Sequence, residues 1–172
     1  MQRALELMNV KLTEVLSDIT GVTGKRIIQS ILDCERDPMK LASLRDYRCH
    51  EPLQTIALAL QGNYREEHLF LLKQSFQLYE FYLQQLASCD QQIKSYLNTL
   101  PDLSGGVLPE NFSPRKTSSK DNSFSFNAQL SGYRLCGLDL PQIEGIKEHT
   151  ALVLLSEIGT DVSTFPSVKH FC

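Results

Sequence analysis

No two cysteines in this chain stand at CxxC spacing, and none belongs to a Cys/His cluster at the spacing of zinc ligands. The five cysteines, Cys34, Cys49, Cys89, Cys136 and Cys172, are odd in number and scattered. They read as reduced thiols and point to a cytoplasmic protein. No apolar run approaches the roughly 20 residues needed to span a bilayer, and the opening MQRALELMNVK lacks the continuous apolar stretch of a signal peptide. Neither membrane insertion nor secretion is expected. Positive charge is also short: the formal net charge is -3, so any phosphate contact must come from a local patch, not from an evenly basic surface. What is present suits a folded chain. Hydrophobic residues make up 42 % and charged residues 22 % of the 172, enough to offset the entropy of ordering one domain, or two small ones joined by a linker.

The first segment runs from Met1 to about Arg48. Leu5, Met8, Leu12, Val15, Leu16 and Ile19 recur at helical spacing and predict one amphipathic helix. Thr20-Gly21-Val22-Thr23-Gly24 then supplies a tight turn, a second helix is expected from Lys25 to about Glu35, and Asp37-Pro38 closes it. Helix, glycine-bearing turn and helix resemble the helix-hairpin-helix motif. Gly21 and Val22 fit that pattern, whereas Thr23 stands where the second glycine belongs and Ile27 replaces the small residue. A hairpin at a helix N-terminus presents backbone N–H groups to a phosphate oxygen, with cations beside them. Gly21, Thr23, Gly24, Lys25 and Arg26 are therefore candidate nucleic-acid contacts. An ordinary interhelical turn fits the same residues. The charge balance leans slightly the functional way: residues 1–50 hold 8 Lys and Arg against 7 Asp and Glu, and the remainder 9 against 13.

Cys49 to Tyr64 carries an apolar patch of Leu53, Ile56, Ala57 and Leu60 and stops at Gly62-Asn63, which predicts a small helix packed on the first pair. His50 beside Glu51 makes no acid-base pair, because adjacent helical residues do not face one another. Arg65 to Leu100 contains no proline or glycine. Positions 69, 72, 76, 79, 83, 86, 90, 93, 97 and 100 alternate steps of three and four and are apolar except at Asp90, which predicts a long helix packing in coiled-coil fashion. Leu69, Leu72, Phe76, Tyr79, Leu83 and Leu86 form the expected seam of a homo-oligomer. Asp90 opposes a parallel pairing in register, since two carboxylates would meet in the seam. A helix buried within one domain is the alternative, and extra apolar residues at Phe70, Leu71, Leu78, Phe81 and Tyr82 favour packing of that end into a domain.

Pro101 to Ser131 holds seven serines, three prolines and Gly105-Gly106, with a basic centre at Arg115, Lys116 and Lys120, and is expected to be a flexible linker. Beyond it, Leu138, Leu140, Ile143, Gly145, Ile146, Ala151, Leu154, Leu155 and Ile158 trace the helix-hairpin-helix pattern a second time. Gly145, Ile146 and Ala151 occupy the glycine, apolar and small positions, and Lys147 departs at the second glycine. Gly145, Ile146 and Lys147 are candidate phosphate contacts. Gly159 is expected to cap the following helix.

Three blocks, GVTGKRIIQSILDCERDPMKLASLRD (Gly21 to Asp46), ALQGNYREEHLFLLKQSFQLYEFY (Ala59 to Tyr82) and ALVLLSEIGTDVSTFPSVKHF (Ala151 to Phe171), resemble in sequence and order the transposases of insertion sequences 110, 116 and 902. The resemblance implies a ribonuclease-H-like domain with four catalytic carboxylates using Mg²⁺, a coiled-coil connector, and a C-terminal domain with a nucleophilic serine. It also implies multimers that recombine DNA under the guidance of a structured RNA. By that resemblance this chain is expected to correspond to the middle of such a protein, so no catalytic residue carries over and no cofactor is expected in it. The expected fold is mainly α: a helical region with a hairpin over 1–64, a coiled-coil helix over 65–100, a flexible Ser-rich linker over 101–131, and the start of the C-terminal transposase domain over 132–172. A free-standing helix-hairpin-helix DNA-binding module and a structural coiled-coil adaptor are the alternatives.

Overall fold

A computed structural model describes residues 1–108, 112, 123–161, 163 and 165–171. The chain is mainly helical with one long helix, as its periodicity predicts, and the described residues contain no strand. It divides into two compact units, Met1–Leu83 and Gln84–Cys172.

In the first unit the expected N-terminal helix is interrupted. Gln2–Leu7 forms α1 and Leu12–Val15 forms α2. Between them Asn9 turns left-handed at φ 57°, and the Val10 N–H donates to Leu5 carbonyl at 2.9 Å. The interruption follows from tertiary hydrogen bonding: Lys11 N–H donates to the Ala59 carbonyl at 2.8 Å and Asn63 N–H to the Met8 carbonyl at 2.7 Å. Those bonds need the backbone to leave the helix, and apolar spacing alone carries no trace of them.

The second helix, α3, spans Val22–Leu32 and starts three residues before the predicted Lys25, with Gly21 as its N-cap. Thr23 and Gly24 thus lie inside the first turn of α3, not in the connection. At the far end Cys34 takes φ 70°, and the Arg36 guanidinium donates to Ile31 carbonyl at 2.5 Å, satisfying one of the helix's last acceptors. α3 ends at Leu32 with Asp33 as its C-cap, so Asp37 does not close it as expected but opens the next helix. It caps α4, Pro38–Ser43, accepting from Met39 and Lys40 N–H at 2.9 and 3.4 Å, with Pro38 in the first helical position. The small helix expected after Cys49 is α5, Leu53–Ala59, burying Ile56, Ala57 and Ala59.

The long helix α6 spans Glu66–Leu97, 32 residues. Its first half belongs to the core of the first unit: Leu72 and Phe76 are buried together with Leu5, Met8, Leu12, Ile27, Ile28, Ile31, Leu41, Ile56 and Leu60, and Leu69 packs against the same cluster. The seam expected to face another helix in coiled-coil fashion is, at these positions, covered by this chain's own α-helical core.

The second unit shows the expected linker to be shorter than 101–131. Residues 128–131 are already helical, because Asn127 caps α7, Ala128–Cys136, by accepting from Leu130 N–H at 2.9 Å. Phe126 is buried, with Phe124 packed beside it. Ahead of α7 the chain is held: Leu103 N–H donates to Arg134 carbonyl at 2.7 Å, Arg134 Nε lies 2.9 Å from Asp102 Oδ2, and Tyr133 hydroxyl donates to Val107 carbonyl at 2.9 Å. Asp90 accepts from Ser125 N–H at 2.7 Å, which gives the charge in the α6 stripe an intrachain partner. The basic centre Arg115, Lys116 and Lys120 lies outside the described residues. After α7, Gly137 ends the helix in the left-handed region, Leu140–Gln142 makes a 3₁₀ turn, and α8, Glu148–Ile158, packs back on α7. Gly159, φ 77°, caps α8 as expected, and Val168–Phe171 forms α9.

Gly24 fixes how α3 enters the core. A methyl group there would overlap the backbone carbonyl of Ile19, which no rotamer change relieves. Gly24→Ala is expected to cost about 2 to 3 kcal/mol by overpacking, read as a lower urea midpoint at unchanged slope. Asp37→Ala, losing only a cap, is expected to cost about 1 kcal/mol.

Candidate nucleic-acid interface

The first hairpin brings its candidate residues together but assigns them other partners. Thr23 is buried, and its hydroxyl accepts from Asp46 N–H at 2.9 Å, pinning the loop after α4 to the first turn of α3. Gly24 is buried against Ile19. Gly21 caps α3 without any side-chain hydrogen bond, and its own N–H donates to the Asp18 carbonyl at 3.3 Å. Asp18 takes the place beside the helix N-terminus that a phosphate would need. Thr20 donates to Asp18 Oδ1 from both its N–H, at 2.8 Å, and its hydroxyl, at 2.6 Å. These two bonds, helped by the Gly21 N–H and the Lys25 charge, hold the Asp18 carboxyl below its ordinary pKa and therefore ionised.

The two cations of this hairpin are also engaged. Lys25 Nζ lies 6.0 Å from the centroid of the Tyr79 ring, and the Tyr79 hydroxyl is itself buried without a hydrogen-bond partner. Arg26 is exposed and near Asp46, whose carboxylate accepts from Arg48 Nε at 2.7 Å; that bond first, with Arg48 and Arg26 charge added, depresses the Asp46 pKa. Lys25, Arg26, Gln29, Ser30, Asp33, Leu44, Phe76 and Glu80 line an open groove of about 550 Å³ within the first unit. Sequence reasoning missed the rim of this face. Tyr47 is 88 % exposed, and the Arg48 guanidinium carbon lies 5.6 Å from its ring centroid. An aromatic flanked by Arg45 and Arg48 was the available signal, since base stacking beside arginine is a common mode of single-strand recognition.

The second hairpin has fewer internal claims on its groups. α7 and α8 meet closely at Gly132, where a Cβ would touch Leu152 and Leu155 at 3.7 Å. Gly145 takes φ 88° with open space around it, and Ile146 N–H donates to Ile143 carbonyl at 3.1 Å to close the turn. The cap of α8 is Lys147, exposed, and no side chain hydrogen-bonds there. Ile146 is half-buried and supports the turn rather than facing solvent. Next in the first turn of α8, the His149 ring stacks on Phe124 at 5.6 Å between centroids and 16° between planes. The exposed Glu144 and half-buried Glu148 flank Lys147 and oppose an anion there.

Of the expected oligomer seam, Leu72 and Phe76 are buried, Leu69, Tyr79 and Leu83 are half-buried, and Leu86 is 53 % exposed. Cys34, Cys49, Cys89 and Cys136 are all free thiols. No three His, Cys, Asp or Glu side chains converge on a metal-sized site among the described residues. Among the same residues no helix is long and apolar enough to cross a membrane. Comparison with protein-family models, with curated proteins and with solved structures finds no match to this chain.

The depressed pKa of Asp18 gives the hairpin a signed pH dependence. Its contribution to stability is complete above the ordinary carboxylate value of about 4 and is lost as pH falls through the lower folded value. Urea unfolding followed between about pH 2 and pH 5 is expected to give Asp18→Asn a shallower acid limb than the wild type. Parallel limbs would mean that the carboxylate gains nothing from Thr20 and the α3 terminus.

Proposed function

We propose that this chain is a nucleic-acid-handling segment of an insertion-sequence transposase, acting on DNA and a structured guide RNA in the cytoplasm as a homo-oligomer and lacking a complete active site. Three ordered sequence blocks support the family reading, and the second hairpin carries the binding role. There a glycine with φ 88° and open surroundings precedes a helix whose cap is an exposed lysine that makes no side-chain cap hydrogen bond, a position whose attraction for an anion must outweigh the flanking Glu144 and Glu148. The helix dipole and Lys147 together favour a phosphate oxygen at that turn. Nothing in this arrangement reads base sequence, so the contact positions a backbone and leaves target choice to base pairing or to other parts of the assembly.

The first hairpin contributes less, because Asp18 already lies at its helix terminus and Thr23 and Gly24 are packed inside. That observation favours a second reading for the first unit alone, a structural adaptor that binds no nucleic acid. The chain holds neither the carboxylates nor the serine context of the family's chemistry, so its role is assembly and positioning.

A gel shift with duplex DNA and with folded RNA, titrated with salt, separates these readings. The wild type is expected to bind at low salt with affinity falling as salt rises. Lys147→Glu should weaken binding on the order of tenfold and reduce the salt slope by about one, and Lys25→Ala with Arg26→Ala should do less. Absence of binding at low salt would leave only the adaptor. In the same reactions with Mg²⁺ the DNA is expected to stay intact, and a covalent serine-DNA adduct or strand cleavage by the pure chain would overturn the claim of an incomplete active site.

A further inference from the structure

Within the first unit α6 has two apolar sides, and its own core covers one. Leu69, Leu72, Phe76, Tyr79 and Leu83 lie on the core side. At about 100° per residue, Phe70, Leu71, Leu78, Phe81 and Tyr82 fall in a separate arc roughly 120° wide, centred roughly 150° away around the helix. These five are 66 %, 40 %, 55 %, 51 % and 58 % exposed. Scattered single exposures are ordinary, but five large apolar side chains on one arc of three turns make a contiguous patch.

We propose that this arc is a self-association surface, occupied by the same arc of a second copy of the chain laid antiparallel to it. The inference rests on the reading of the chain as a homo-oligomer and moves the contact to the side opposite the heptad seam. Two observations select a second copy. The first is charge. Between Leu71 and Tyr82 the polar residue on the arc is Gln74, with Gln77 and Ser75 just beyond its two edges, while Lys73 and Glu80 lie farther outside it. Two identical faces therefore meet without setting like charges together, whereas a charged partner would find no complementary group. The second is area. Large apolar and aromatic side chains of about 150 to 250 Å² each, exposed by these fractions, offer about 500 Å² per copy. A symmetric pair then buries about 1,000 Å², the lower bound of a specific interface.

Orientation follows from Glu67, which lies on the same arc one turn before Leu71. A parallel pair would bring the two Glu67 carboxylates side by side, and an antiparallel pair keeps them at opposite ends. Antiparallel pairing about the middle of the patch sets Phe70 against Tyr82, Leu71 against Phe81, and Gln74 against Leu78.

Sedimentation equilibrium of the whole chain, with circular dichroism melting as a folding control, tests this. At about 100 μM the wild type is expected to be dimeric, consistent with micromolar affinity for an interface of this size. Leu78→Glu should weaken the dimer by at least tenfold without lowering the melting temperature, because the side chain is exposed. Leu71→Lys and Phe81→Glu should each weaken it, and the double variant should regain association, since only an antiparallel pair sets lysine against glutamate. A monomeric wild type would overturn the homo-oligomer reading itself. A dimer that survives Leu78→Glu would overturn this face and leave that reading standing. Failure of the double variant to recover would overturn the antiparallel register.

Discussion

The burial of Leu72 and Phe76 in the core of Met1–Leu83 ties the longest helix to the rest of the unit. Each such side chain contributes about 1.5 to 3 kcal/mol when removed from water. No proline or glycine occurs within α6, so nothing local bends it. Once those two residues are inside, the rotation of its first half about its own axis is fixed. That rotation places Tyr79 beneath Lys25, puts Phe76 and Glu80 on the rim of the groove beside α3, and turns Phe70, Leu71, Leu78, Phe81 and Tyr82 to solvent. The surface chemistry of the unit is thus set from inside.

The two hairpins differ in what occupies their helix termini, although their sequences follow one pattern. In the first, an aspartate held by Thr20 supplies the negative charge, and the threonine in the second glycine position accepts a hydrogen bond from a distant loop. A carboxylate fixed beside that terminus repels a phosphate. In the second, the residue in the same pattern position is Lys147, exposed, at a cap that no side chain occupies. The position that departs from the motif is therefore structural in one hairpin and a candidate contact in the other.

Much of the architecture was legible in the sequence because it rests on local rules. The α6 periodicity, the cap at Gly159, the small helix around Ile56 and the turn at Gly145 all follow from spacing or from backbone requirements of single residues, whereas Asp37, read as the end of the second helix, instead begins α4. What sequence missed depends on partners far along the chain. The break at Asn9 answers hydrogen bonds to Ala59 and Asn63, and the hold on the chain before α7 answers Asp102 with Arg134. A heptad stripe also cannot say what covers it. Leu72 and Phe76 satisfy the seam pattern equally well against another chain or against α-helices of the same one, and only the positions of Ile27, Ile28 and Leu60 decide between them.

Hydrogen exchange along α6 tests this account most directly. If Leu72 and Phe76 hold the helix in the core, amides from Leu69 to Glu80 open only with the unit as a whole, and their protection matches that of Ile27 to Ile31 in α3 at every protein concentration, the two rising together where copies associate. Exchange of Leu69 to Glu80 well ahead of α3 in dilute protein, catching up with α3 only as concentration rises, would contradict it, because the helix would then owe its order to another chain.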